Sequence, residues 1–336
     1  MQASFRWARA IAAALVAASL ASCAPVHDSF SLTQSLLDDF EQKTGFAVTV
    51  AKSGDAGAMT NKLALTKDSP LGDVVYGIDN TFAGRAISQD ILTPYAPAAL
   101  TAGSVDVQAD ARHLLTPIDF GDVCVNADKA WFKSRNRALP ATMDDLVKPA
   151  YRDLLVVENP ASSSPGMAFL AASVGAKGED GYVAYWGQLK ANGVKVVKDW
   201  ETAYNTEFSG SAGKGPRPLV VSYATSPAYE VPEGGGEPPT TALLGTCFRQ
   251  VEYAGVLKGA KNEQGARAFV DFLLSPAVQA DIPAQMYMYP VVKSTPLPAA
   301  WTTYAPLATE PLQVSVEQLS ANREEWIGAW TAEVIG

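Results

Sequence analysis

The chain offers only two histidines, His27 and His113, so the commonest general base is nearly absent from its 336 residues. No His-Glu-x-x-His pair, Gly-x-Ser-x-Gly elbow or P-loop accompanies them. A hydrolase built on Ser163 or Ser226 would need a base to take the hydroxyl proton, and the sequence supplies no obvious one. Neither enzymatic activity nor a cofactor nor a bound metal is expected. Four polar and aromatic clusters stand out instead: Asp55-Ala56-Gly57, Ser162-Ser163-Ser164-Pro165-Gly166, Lys198-Asp199-Trp200, and Tyr223-Ala224-Thr225-Ser226-Pro227-Ala228-Tyr229. Taken singly, each reads most simply as a helix cap. The serines before Pro165-Gly166 could equally present hydroxyls and amides to a phosphate or another polar head.

Each cluster begins or ends a predicted element, and ligands of open α/β sheets gather where strands end and helix N-termini point outward. The apolar period switches repeatedly between helical and strand-like spacing, which predicts an α/β fold. Leu32, Leu36, Leu37 and Phe40 share a helical face that Gly45 terminates, and Phe46, Val48 and Val50 alternate as a strand. A helix through Met59, Leu63 and Leu65 precedes a short buried strand at 74–76. Further strands are predicted at 123–126, 154–157, 194–197, 218–222 and 251–256, and helices at 142–149, 166–175, 180–191, 201–207 and 263–274. Ser315-Val316-Glu317-Gln318 has the form of a capping box and opens a helix carrying Leu319, Trp326, Ile327 and Trp330. The stretch 232–239 has the composition of a surface loop. With no long linker, two lobes would have to share chain crossings, expected near 119–121 and 247–251.

The N-terminus has the parts of a secretory signal: Arg6 and Arg9, an apolar run over 11–20, then small residues. It ends in Leu20-Ala21-Ser22-Cys23, which resembles the lipobox of bacterial lipoproteins and predicts lipidation at Cys23. The alternative is an ordinary signal peptide. Removing residues 1–22 of the 336 leaves 314, enough for two lobes. The net charge of −9 becomes more negative once Arg6 and Arg9 leave, which argues against a nucleic-acid partner. Cys124 and Cys247 remain for a compartment where disulfides persist, and each lies in an apolar, strand-like run. They are expected to pair, the alternative being two buried free thiols.

Val74-Val75-Tyr76-Gly77-Ile78-Asp79-Asn80, Pro117-Ile118-Asp119-Phe120-Gly121, Asn159-Pro160 through Pro165-Gly166, and Lys198-Asp199-Trp200-Glu201-Thr202-Ala203-Tyr204 follow one another in a telling order. Ser222-Tyr223-Ala224-Thr225-Ser226-Pro227-Ala228-Tyr229, Leu274-Ser275-Pro276, Ile282-Pro283 and Met288-Tyr289-Pro290-Val291 continue the series. Together they resemble the thiamine-binding proteins of ATP-binding-cassette importers, from about His27 to Trp330. Two departures stand out: His27 precedes Asp28-Ser29-Phe30 where a Tyr is usual, and Tyr287 stands where a Trp is common. The first strand is either clipped or supplied by 24–27 immediately beside Cys23.

The resemblance implies a two-lobed, type II periplasmic-binding-protein fold that closes on a hinge around an interlobe cleft. Residues 23–119 plus 250–336 would form one lobe and 120–249 the other. It implies that Asp55, Ala56, Ser163, Ser164, Tyr223, Ala224, Thr225 and Ser226 hold the polar or phosphate end of thiamine or a thiamine phosphate. Trp200 would stack on the ligand, Tyr229 and Tyr287 would add aromatic walls, and Asp79 would face them from the first lobe. A cationic thiazolium over such a ring gains about 0.5–2 kcal/mol. The implied partners are the ligand and the permease of the importer, with the chain a membrane-anchored monomer outside the cell. The competing readings are a ferric-ion or other cation receptor using Tyr223 and Tyr229 as oxygen ligands, and an exported hydrolase.

Overall fold

The computed structural model describes residues 22–100, 104, 107 and 109–336, so residues 1–21 of the predicted leader lie outside the described residues. The strands are β1 (Ser22–Val26), β2 (Val48–Lys52), β3 (Val74–Asp79), β4 (Leu92–Thr93), β5 (Thr116–Asp128), β6 (Leu155–Glu158), β7 (Lys195–Val197), β8 (Leu219–Tyr223), β9 (Thr240–Leu257) and β10 (Tyr289–Pro290). They form one mixed sheet in the order β2-β1-β3-β9-β5-β8-β6-β7, with β4 against β9 and β10 against β5. The first strand is therefore supplied rather than clipped: β1 runs parallel to β2 from Ser22↔Val48 to Val26↔Lys52.

Two long antiparallel strands, β5 and β9, carry the middle of the sheet. β3 pairs with the C-terminal part of β9, from Asp79↔Glu252 to Val74↔Val256, whereas β8 pairs with the C-terminal part of β5, from Val123↔Tyr223 to Ala127↔Leu219. The two ends of the sheet thus join only through strands that serve both. Sequence pattern predicts much shorter strands here, at 123–126 and 251–256, because Asp119, Asp122 and Gln250 break the apolar runs; these three and Glu252 are all buried within the ladder. Asp122 is satisfied by Arg249, whose Nε and Nη2 both donate to it, and by the backbone N–H of Ala308 at 2.7 Å. A disulfide joins Cys124 of β5 to Cys247 of β9, as the sequence predicts.

The helix Gln34–Thr44 stops at Gly45, whose φ of 75° is the left-handed cap that glycine adopts without strain. The predicted helix at 142–149 is shorter, Met143–Leu146, because Pro149 lacks the N–H to continue it and opens a separate turn over Pro149–Tyr151. The helix predicted at 201–207 splits into Trp200–Thr202 and a π-turn over Ala203–Glu207. The last helix, Val316–Val334, starts with the expected capping box. Trp326 and Trp330 on it meet Tyr182 and Trp186 edge-on, and Glu324 pairs with Arg85, so one helix braces both ends of the sheet.

Candidate ligand-binding cleft

A cleft with a cavity volume of about 290 Å³ opens where the parallel strands end. His27, Asp28, Ser29, Phe30 and Ser31 follow β1, Asp55 follows β2, Trp200 follows β7, and Tyr223 closes β8. Ser226, Glu252 of β9, and Met286, Tyr287 and Met288 complete the wall. Trp200 rests one face on Tyr204, with ring centres 5.1 Å apart and planes 17° from parallel, and its Nε1 donates to Ser222 Oγ at 2.9 Å. The ring is thereby held, half-buried, in the lining of the cleft. Tyr287 adopts φ 62°, a conformation uncommon for an aromatic residue. Its carbonyl accepts from Thr225 Oγ1 at 2.6 Å, which holds the residue at the wall.

The floor is a buried polar chain. His27, 8% exposed, lies at an ion-pair distance of 3.5 Å from Glu252, itself 4% exposed. Gln250 Nε2 donates to Glu252 Oε1 at 3.0 Å, and the Tyr76 hydroxyl lies between Glu252 Oε2 and Asp119. Burial alone would disfavour protonated His27, but the carboxylates of Glu252, Asp55 and Asp28 outweigh it and raise the pKa. Burial likewise opposes ionised Glu252, yet His27 and the Tyr76 hydroxyl hold its pKa below the usual value. Asp119 behaves oppositely: burial and then the Glu252 charge push its carboxyl far up, so it stays neutral. Burial also raises the Asp55 carboxyl, against the Ala56 N–H that donates to its Oδ1 at 2.9 Å.

Of the residues expected from the sequence, Asp55, Trp200, Tyr223, Ser226 and Tyr287 line the cleft. The other seven sit outside that lining. Ser164 Oγ donates to Asp79, which also accepts from the backbone N–H of Thr81 at 2.6 Å and from its hydroxyl at 2.5 Å. Ser163 is fully buried, with its hydroxyl beside the Asp55 carboxyl. The Ala224 N–H donates to the Asp122 carbonyl at 2.8 Å, and the Tyr229 hydroxyl to the Pro283 carbonyl, while Ala56 is packed in the core. The bonds Ser164 to Asp79 and Thr225 to Tyr287, with Ala58 N–H to the Ser162 carbonyl at 3.2 Å, cross from one end of the sheet to the other. The conformation is closed around the cleft.

Sequence reasoning left the place of His27 open and missed Glu252, Gln250, Phe30 and the two methionines. A signal for Glu252 was present: it is the one carboxylate in the apolar run 251–256. It also missed Glu158, at the end of β6, which is 0% exposed with both carboxyl oxygens unpartnered and is kept neutral by burial.

A family profile described as bacterial extracellular solute-binding protein matches residues 69–307. The thiamine-binding periplasmic protein of Escherichia coli (strain K12) is 29% identical over 297 residues, covering 88% of this chain and 86% of that one. Iron uptake protein A2 of Synechocystis is 25% identical over 264 residues, covering 73% and 72%. A solved periplasmic thiamin binding protein superposes with a TM-score of 0.82 at 26% identity, covering 94% of this chain and 96% of that one. The curled, mixed α/β sheet with its shared central strands is the two-lobed type II periplasmic-binding-protein architecture. The chain belongs to the bacterial extracellular solute-binding protein family.

Proposed function

We propose that this protein captures thiamine in the cleft between two lobes, 23–119 plus 250–336 and 120–249, and delivers it to the permease of an ATP-binding-cassette importer. The observation that carries the reading is the fixed Trp200 ring in a cleft walled by Asp28, Asp55, Glu201 and Glu252. A flat cation finds there both a π face and counter-charge. Closure requires ligand contacts to both lobes at once, and Trp200 and Tyr223 of one proposed lobe line the cavity together with Asp55 and Tyr287 of the other. The reading is capture without turnover: Ser226 Oγ is bonded to Ser222 Oγ at 2.9 Å rather than to a base. An iron reading draws on the likeness to iron uptake protein A2, but the Tyr223 hydroxyl faces Gln250 Nε2 at 3.3 Å whereas that of Tyr229 is given to Pro283. The two phenols do not converge as a ligand pair.

Lipidation at Cys23 belongs to the same proposal. The residue lies within β1, next to its first residue, and is half-buried, so the tether would attach directly to the sheet. Replacement of Cys23 by Ser should move the protein from the membrane fraction to the soluble one. Titration calorimetry of the leaderless protein against thiamine tests the main reading. Saturable heat with one site supports it, and no heat well above micromolar concentrations removes it.

A further inference from the structure

Away from the cleft, the last helix sets Arg323 beside Arg85 of the short helix Ala83–Ser88. Arg323 is only 5% exposed, and its guanidinium lies 4.1 Å over the Phe82 ring. A guanidinium so buried needs acceptors and counter-charge in place of water. The supply is small. Glu324 offers one oxygen, Oε1, to both cations: Arg323 Nη1 donates to it at 2.5 Å and Arg85 Nη1 at 3.2 Å. That carboxylate is itself largely exposed, with 67% of its side chain open to solvent. Burial disfavours the charge on Arg323, Glu324 and Asp79 favour it, and the Arg85 guanidinium opposes it. The Asp79 oxygens, however, accept from Ser164 and Thr81. The Nε atoms of Arg85 and Arg323 are both buried with no acceptor.

There is also room for a ligand. Cavities of about 210 and 380 Å³ adjoin the pair, and Arg85, Arg323 and Glu324 line both of them. Ser320 adds a hydroxyl to the first and Asn61 an amide to the second. The guanidinium fork suits oxyanions, which it can hold through two parallel bonds. Glu324 Oε1 marks where an anionic oxygen sits between the two forks.

We propose that Arg85 and Arg323 form a second ligand site, for a small tetrahedral oxyanion, which Glu324 fills by one oxygen until such an anion displaces it. The site lies outside the cleft lining and does not depend on which cargo the cleft takes. Inorganic phosphate, and separately sulfate, is titrated calorimetrically into the leaderless protein at an ionic strength held constant with chloride. The wild type should show saturable binding at one site. Arg85→Gln should weaken it by about tenfold or more, and Arg85→Lys, which keeps the charge without the fork, should fall between. Glu324→Gln removes the competing carboxylate and should tighten binding several-fold. A cooperative urea transition confirms that each variant is folded. No saturable binding in either the wild type or Glu324→Gln overturns the site. Binding of unchanged strength in Arg85→Gln and Arg85→Lys places the anion elsewhere, the cleft included, and overturns it as well. Affinity unaltered in Glu324→Gln overturns the part given to that carboxylate.

Discussion

Replacing Asp79 by Asn should stabilise the protein at neutral pH and do little in acid. Asp79 is fully buried at the end of β3, and burial raises its pKa from 3.8 to about 6 against the pull of Ser164 and Thr81. Because the folded-state value is raised, the native chain keeps a proton over the range in which the unfolded chain releases it. The group's contribution is therefore most favourable below pH 3.8 and declines as the pH climbs toward about 6, beyond which the penalty is constant. At about 1.4 kcal/mol per unit, the rise from 3.8 to about 6 amounts to about 3 kcal/mol. Asn has the same shape. Its Oδ1 can keep both bonds from Thr81, and its Nδ2 can donate to Ser164 Oγ with no charge at any pH. Urea unfolding of both proteins, followed by tryptophan fluorescence from about pH 4 to about pH 7.5, gives the difference in unfolding free energy. That difference should open from near zero to about 3 kcal/mol in favour of Asn. A difference that does not change with pH, or an Asn protein less stable at neutral pH, would refute the reasoning.

Trp200→Ala should weaken thiamine binding by roughly tenfold or more, since both the cation–π contact and the apolar platform go, and should remove most of the ligand-induced fluorescence change. Unaltered calorimetric affinity would take Trp200 out of the site. Replacing Cys124 and Cys247 together by Ser frees a loop of 123 residues and should lower unfolding stability by about 2–5 kcal/mol; a denaturation midpoint equal to that of the oxidised wild type would contradict this. A bound cation favours the ionised form of Asp55, whose pKa burial has raised, so capture should release protons. The binding heat should then vary with the ionisation enthalpy of the buffer, and identical heats in two such buffers would count against the contact.

What the sequence makes legible is whatever depends on neighbours along the chain. The face of Leu36, Leu37 and Phe40 ending at Gly45, and the capping box at Ser315, each carry their full signal within a dozen residues. The position of the cleft was also readable, because Asp55, Trp200 and Tyr223 all stand where a strand gives way to a helix or loop. The reach of β5 and β9 was not. Asp122 reads as a break until Arg249, 127 residues away, is placed against it, and Tyr76 lies 176 residues from Glu252. The roles of the hydroxyls were hidden for the same reason. Ser164 and Thr225 look like ligand donors in a local window, and only the folded chain shows that each is spent on a bond that crosses the sheet.

That expenditure explains how an acidic cleft can close on itself. Asp79, Asp119, Glu158 and Glu252 are four buried carboxyls, and if all were ionised, their mutual repulsion in a low-dielectric interior would oppose closure. The fold divides them. Burial pushes the carboxyls of Asp119 and Glu158 well up, which favours their neutral forms, and Asp79 is satisfied by hydroxyls and an N–H. Glu252 is kept charged by His27. The carboxyls of the cleft lining are then Asp28, Asp55, Glu201 and the His27-paired Glu252, beside one lysine, Lys52, so a bound cation adds counter-charge that the lining supplies only in part. A neutral ligand would fill the same space without that offset, so the arrangement links closure to the charge of the cargo as well as to its shape.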